Sequence, residues 1–271
     1  MRLFVALVTP FDGKGKLDLP RLRSHVTWLL QQGVDGFFVT GTTGEFPYLG
    51  SREREAVQRT VIDASAGHPV YVCPWDASPT TTAYLADAAT EQGAAGVFVP
   101  PPLFYRLDER ELEATYRDLA ERCGVPILGY HHPRRLPTDI STTLYARLRA
   151  DNVLAGLKDS SMDLFRLSRL AAADPNAIFA GGDRMLAQIA RIPRLAGFVT
   201  AIGNVWPRLC IRLLKERETQ LEEVLVDRVV RTRRAGGPRA LKALLGMGCR
   251  APLVRPPSAA LEGLPGPEQP A

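Results

Sequence analysis

The sequence predicts a (β/α)8 barrel carrying a small helical extension at its C-terminal end. Three observations lead there. Eight short runs rich in Val, Ile, Leu and Phe fall between residues 3 and 201, nearly continuous in apolar character, as parallel strands covered on both faces are. Longer amphipathic stretches separate them, so strand and helix alternate through the chain. A doubly wound sheet is the competing architecture, but no Gly-x-Gly-x-x-Gly follows the first run.

The strand candidates are LFVALVT (3–9), GFFVTG (36–41), VYVCP (70–74), GVFVP (96–100), PILGY (126–130), VLAGLK (153–158), AIFAGG (177–182) and GFVTA (197–201). Helix candidates lie between them. The stretch 19–33 opens with a proline, repeats apolar residues at helical spacing and stops on Gly33. The stretch 51–65 takes Ser51 as its N-cap with acids in its first turn, and 108–124 takes Asp108 as cap and ends on a glycine. STTLYARLRA, DLFRLSRLAAA and RMLAQIARI fill the later gaps. After the eighth strand the chain is expected to continue as helix through 205–234 and 237–248, then to fray in a tail rich in Pro and Gly. The expected division is a barrel over 1–203 and an extension over 204–271.

The composition, 45% apolar and 23% charged over 271 residues, is that of a globular protein able to bury a substantial core. A net charge of +5 with arginines scattered among acids, apart from Arg231–Arg234, speaks against a nucleic-acid or membrane-surface role. No apolar run approaches the ~18–20 residues of a membrane span, and the start MRLFVALVTPF reads as a first strand, not a signal peptide. The four cysteines are far apart and form no Cys-x-x-Cys pair, so a reducing cytoplasm is the expected compartment.

In a barrel, side chains at the carboxyl ends of the strands converge on one face. After strand two stands TGTTGEF, where Thr42 and Thr43 between glycines leave backbone N–H groups open to a carboxylate or phosphate; the plain alternative is a tight turn. Strand five ends on Tyr130, a phenol able to relay a proton. His131 and His132 follow, but neighbours in an extended segment point apart and no further ligand stands at metal spacing, so no metal is expected. Strand six ends on Lys158. Of the 34 basic residues only five are lysines, and a lysine amine, unlike a guanidinium, sheds its proton when desolvated. A neutral amine condenses with a ketone to a Schiff base, an electron sink for carbon–carbon chemistry. The plain alternative is a rim lysine paired with Asp159. Lys242, midway along an amphipathic helix, reads as a solvated-face residue.

Taken in order, ALVTPF, GTTGEF, VPPPLFY, YHHPRR, GLKDSS, AGGD and GFVTAIGNV make the chain similar, over nearly its whole length, to the dihydrodipicolinate synthase and N-acetylneuraminate lyase family of pyruvate-dependent aldolases. The resemblance implies that Lys158 forms the iminium with pyruvate and that Tyr130 shuttles protons. It also implies that Thr42 joins that relay while Thr42 and Thr43 hold the pyruvate carboxylate, with Gly182 and Val199 lining the pocket. It implies no metal and no organic cofactor, pyruvate with a small aldehyde or a keto-deoxy acid as substrates, and a homo-oligomer, dimer or tetramer.

Arg135 falls where the synthases hold the second substrate's carboxylate. Where they carry a Tyr-Tyr pair reaching the neighbouring subunit's relay, this chain has Leu103 and Phe104, with Tyr105 the alternative if the loop is shifted by one residue. Ser51 and Arg54 replace histidines of the family's lysine-feedback site. The expected function is therefore a Schiff-base lyase of synthase type, acting on pyruvate and aspartate semialdehyde. A 2-keto-3-deoxy-sugar-acid aldolase is the alternative, and a non-catalytic binding barrel a third.

Overall fold

The computed structural model describes residues 1–268. Eight parallel strands close into a barrel in sequence order: β1 (Arg2–Ala6), β2 (Gly36–Val39), β3 (Val70–Val72), β4 (Gly96–Val99), β5 (Ile127–His131), β6 (Gly156–Asp159), β7 (Ile178–Gly181) and β8 (Gly197–Thr200), with β8 returning to β1. Around them run α1 (Leu19–Gln31), α2 (Ser51–Ala64), α3 (Pro79–Glu91), α4 (Glu109–Arg122), α5 (Thr142–Ala150), α6 (Leu164–Ala173) and α7 (Leu186–Ile189). The chain then continues through α8 (Pro207–Ile211), α9 (Glu222–Arg234) and α10 (Pro238–Leu244).

Helix starts follow local chemistry. Asp108 accepts the Glu111 N–H at 2.8 Å while Glu111 accepts the Asp108 N–H at 2.7 Å, a reciprocal cap worth about 1 kcal/mol. Ser51 is not the cap of α2, as expected from sequence. Gly50 holds that position, and Glu53 reaches back to its N–H at 3.1 Å. Helix α3, which no expectation named, starts at Ser78; its Thr-rich first turn is poor in helix propensity and hides the pattern.

The expected single helix over 205–234 is broken. A π-helical turn (Arg212–Glu216) follows α8, Arg217 turns left-handed at φ 59°, and the Arg212 guanidinium holds Glu218 at 2.8 and 2.5 Å. Nor does the tail fray where expected. The Trp206 indole donates to Gly266 O at 3.1 Å, and Glu268 accepts the N–H groups of Arg208 and Leu209. The last three residues of that expectation, 269–271, lie outside the described residues.

Alternation along each strand sorts the core into two shells. Outward-facing residues such as Leu3, Val5, Phe37, Val97 and Leu157 pack against the helices. Inward-facing Phe4, Phe38, Phe98, Leu128 and Phe179 fill the lumen, with Phe4 edge-on to Phe38 and Phe179 at 5.7 and 5.3 Å. Each such burial stabilises by roughly 1.5–3 kcal/mol. The Phe4 ring occupies space left by two glycines: a Cβ on Gly36 or on Gly197 would lie 2.7 Å from it. The barrel is thus a plugged cylinder, and a polar site can form only above the aromatic plug, where the strands end.

Candidate active site

The carboxyl ends of the strands build the site. In β6, Leu157 faces the helices, so Lys158 faces the lumen and Asp159 faces outward again. Asp159 is fully buried and accepts from Arg166 of α6 at 2.7 Å, so its charge is satisfied outside the barrel. The rim pairing of Lys158 with Asp159 does not occur. Lys158 is 5% exposed, and among the described residues no carboxylate lies within salt-bridge reach of its amine. What surrounds it is aromatic: Nζ lies 4.2 Å from the Tyr130 ring centre, 4.4 Å from Phe98 and 4.9 Å from Phe38. Burial in that cage pushes the amine down from 10.5 to about 7, with Cys73 opposing weakly, because the charged form loses its hydration.

Tyr130 meets Lys158 because of register: the two are Cα partners in the β5–β6 ladder, so they reach the lumen at one level. Burial raises the phenol above its ordinary 10.0, against a smaller lowering by Thr42, and it stays protonated at neutral pH. Its hydroxyl lies 3.5 Å from Thr42 Oγ1.

The loop after β2 places the threonines. Thr40 is left-handed at φ 52°, an outlying conformation for a β-branched residue, held by its hydroxyl donating to Val39 O at 2.7 Å and Cys73 O at 3.1 Å. That twist throws Thr42 and Thr43 over the lumen, where neither backbone N–H has an acceptor among the described residues. Glu45, also left-handed at φ 61°, closes the loop and turns inward to Lys242 of α10 at 2.7 Å. Lys242 is fully buried, its amine donating to Thr9 O at 3.4 Å. The solvated face expected for it is wrong, because the C-terminal helix folds back under this loop.

Thr42, Thr43, Tyr130 and Lys158 open into one cavity of about 340 Å³, which also receives Arg135, Gly182 and Val199. Gly182 sits at φ +122°, where a Cβ would collide with Met162 at 2.4 Å. Phe104 and Tyr105 are not part of it. They are 86% and 73% exposed on the loop after β4 and border a separate apolar groove with Trp75 and Leu103.

His131 and His132 do point apart. His131 Nδ1 accepts the Ile140 N–H at 3.2 Å, whereas His132 faces the cavity. Burial first, then the charges of Arg135 and Lys158, depress His132 to about 4, so it is neutral. Arg54 is buried and donates to the carbonyls of Phe46 and Trp75, which is structural work beneath the threonine loop.

The sequence reading missed Asp183, Arg134, Arg184, Thr232 and Arg233, which also line the cavity. Asp183 Oδ2 accepts the N–H groups of Ala201 and Ile202, while Oδ1 has no partner, and burial raises its carboxyl. Thr232 and Arg233 come from α9, in what reads from sequence as an extension outside the barrel; only their place one residue apart in a basic run signalled anything.

With the geometry established, three comparisons fix the lineage. The profile of the dihydrodipicolinate synthetase family matches residues 1–261. An "uncharacterized DapA-like lyase" of Halobacterium salinarum is 33% identical over 89% of this chain and 82% of its own length. "4-Hydroxy-tetrahydrodipicolinate synthase 1" of Streptomyces coelicolor is 33% identical over 94% and 87%. Among solved structures, an N-acetylneuraminate lyase from Mycoplasma synoviae superposes with a TM-score of 0.84 at 26% identity, covering 96% of this chain and 93% of that one. No helix among the described residues is long and apolar enough to cross a membrane. The chain belongs to the dihydrodipicolinate synthetase family, and is a lyase of the Schiff-base, class I aldolase kind.

Proposed function

We propose that the chain makes and breaks a carbon–carbon bond next to the carbonyl of pyruvate, with Lys158 as the Schiff-base residue. The observation that carries this is an amine almost fully buried, unpaired among the described residues, depressed to about 7 by burial, and sharing one cavity with a phenol and a threonine hydroxyl. The neutral Nζ adds to the keto carbon, the carbinol oxygen takes a proton from the medium and leaves as water, and the iminium forms. The free N–H groups of Thr42 and Thr43 receive the pyruvate carboxylate. A proton leaves the methyl carbon and passes through Tyr130 and Thr42, and the bond electrons rest in the enamine. The enamine carbon attacks the aldehyde carbon, whose oxygen takes the proton back. Water then releases the keto acid and restores the amine; cleavage runs the same steps in reverse.

Two acceptors fit this chemistry. A synthase-type reaction with aspartate semialdehyde is supported by Arg135 in the cavity wall. A 2-keto-3-deoxy-sugar-acid aldolase is favoured by Phe104, which has no hydroxyl to complete a relay across subunits. Turnover with aspartate semialdehyde against 2-keto-3-deoxygluconate separates them. The reaction class is tested by borohydride reduction in pyruvate and intact-mass measurement. An adduct on the wild-type chain and none on Lys158→Arg is expected; an equal adduct on the variant refutes the assignment. The exposed Phe104–Tyr105 pair, ring centres 5.1 Å apart, supports a homo-oligomer meeting on that face. Phe104→Asp is expected to lower the mass measured by light scattering, and an unchanged mass removes that face from the interface.

A further inference from the structure

The mouth of the cavity collects positive charge that the chemistry at Lys158 does not use. Arg134 and Arg135 come from the loop after β5, Arg184 from the turn after β7 and Arg233 from α9, so three separate parts of the chain converge four guanidinium groups on one opening. None of the four forms an ion pair among the described residues. Some arginines elsewhere are neutralised at close range, Arg166 on Asp159, Arg250 on Glu53 and Arg147 on Glu113 among them; what marks these four is that they line a single cavity. The lone carboxylate lining this cavity is Asp183, and one of its oxygens is taken by two backbone N–H groups. Desolvation, then the charges of Arg233, Arg184 and Arg135, hold the Arg134 guanidinium below its ordinary value, so the group feels the other three directly.

Four guanidinium groups set against a single carboxylate are complementary to a compact dianion, which accepts from several forks at once. The pyruvate carboxylate has its own place beside Lys158, on Thr42 and Thr43, so the arginines are left for the far end of the acceptor. Aspartate semialdehyde carries an ammonium group beside its carboxylate, so it brings no net negative charge to these four cations. A neutral sugar chain leaves four cations uncompensated.

We propose that this mouth binds a phosphoryl group on the acceptor, making the enzyme's preferred aldehyde a short phosphorylated one and its condensation product a phosphorylated 2-keto-3-deoxy acid. This rests on the Schiff-base reading and refines the second acceptor reading. The phosphoryl group keeps all its bonds through the reaction and serves as a handle, its binding energy holding the aldehyde carbon against the enamine.

The test compares glyceraldehyde with glyceraldehyde 3-phosphate as acceptors for pyruvate in the intact protein. A kcat/KM higher for the phosphorylated aldehyde by on the order of 100-fold is expected, as for two charge-assisted contacts. That preference should fall at least tenfold in Arg184→Gln/Arg233→Gln, through KM for the phosphorylated acceptor, and should shrink with added salt. Equal kcat/KM for the two aldehydes overturns the proposal, as does faster turnover of aspartate semialdehyde than of either. Pyruvate trapping by borohydride, run on the same wild-type sample without acceptor, reports the Schiff base separately. An adduct with no phosphate preference defeats this inference alone, while no adduct defeats the reading beneath it.

Discussion

The buried pair of Glu45 and Lys242 offers the sharpest perturbation. Both side chains are essentially inaccessible, 3% and 0% exposed, and their charges meet at 2.7 Å, with the amine also 4.6 Å from the Phe11 ring centre. The second carboxylate oxygen of Glu45 has no hydrogen-bond partner. Removing Lys242 alone, as Lys242→Met, keeps the side-chain volume but strands an anion in the interior. Breaking a buried pair from one side costs about 3–5 kcal/mol, whereas replacing both partners by apolar groups of similar size costs far less. The expected result is therefore a loss of about 3–5 kcal/mol for Lys242→Met in urea unfolding followed by circular dichroism. A Tm drop of roughly 6–20 °C should accompany it in a chain of this size.

The double variant Glu45→Met/Lys242→Met should recover at least about 2 kcal/mol of that loss, a coupling that a double-mutant cycle reads directly. Because Glu45 closes the loop bearing Thr42 and Thr43, the single variant should also raise KM for pyruvate more than it lowers kcat. A cost under about 1 kcal/mol for Lys242→Met, or a double variant worse than either single one, would refute the claim that this pair pins the C-terminal helix to the threonine loop.

Three further outcomes follow from the site. The amine of Lys158 is depressed from 10.5 to about 7 by burial, so imine formation with pyruvate should rise about tenfold per pH unit below 7 and level off above about 8; stopped-flow rates flat from pH 5 to 9 would contradict that. The same depression makes the lysine costly to the fold. The unfolded chain keeps this proton up to about 10.5 and the folded one only to about 7, so the penalty, roughly 5 kcal/mol at most, is full below pH 7 and disappears as pH approaches 10.5. Lys158→Met should thus be more stable than wild type at pH 6 and close to it at pH 10, and an equal or reversed difference at the two pH values would sink the argument. Tyr130→Phe removes the hydroxyl 3.5 Å from Thr42 and should lower kcat roughly 10²–10⁴-fold; a loss under tenfold in steady-state turnover would take Tyr130 out of the relay.

The barrel was legible because its strands are buried on both faces, which writes eight apolar runs into the chain where a one-sided sheet would write alternation. Local signals were weaker guides to helix ends. Gly50 caps α2 through the side chain of Glu53, so the residue that looked like a cap, Ser51, stands one place inside. The break at Arg217 depends on an ion pair closed across six residues, which no helical periodicity encodes.

For the site, the sequence by itself determined which groups are candidates. An uncommon lysine at a strand end, a tyrosine one strand earlier and paired threonines between glycines were identifiable because strand ends of a barrel face one cavity. Tertiary structure alone decided their surroundings. The β5–β6 register sets Tyr130 beside Lys158, and the aromatic plug strips water from the amine. The fold of the C-terminal helices buries Lys242 against Glu45 and brings Arg233 to the cavity. Each of these depends on contacts between residues distant in the chain, and desolvation and charge proximity are properties of the space around a group.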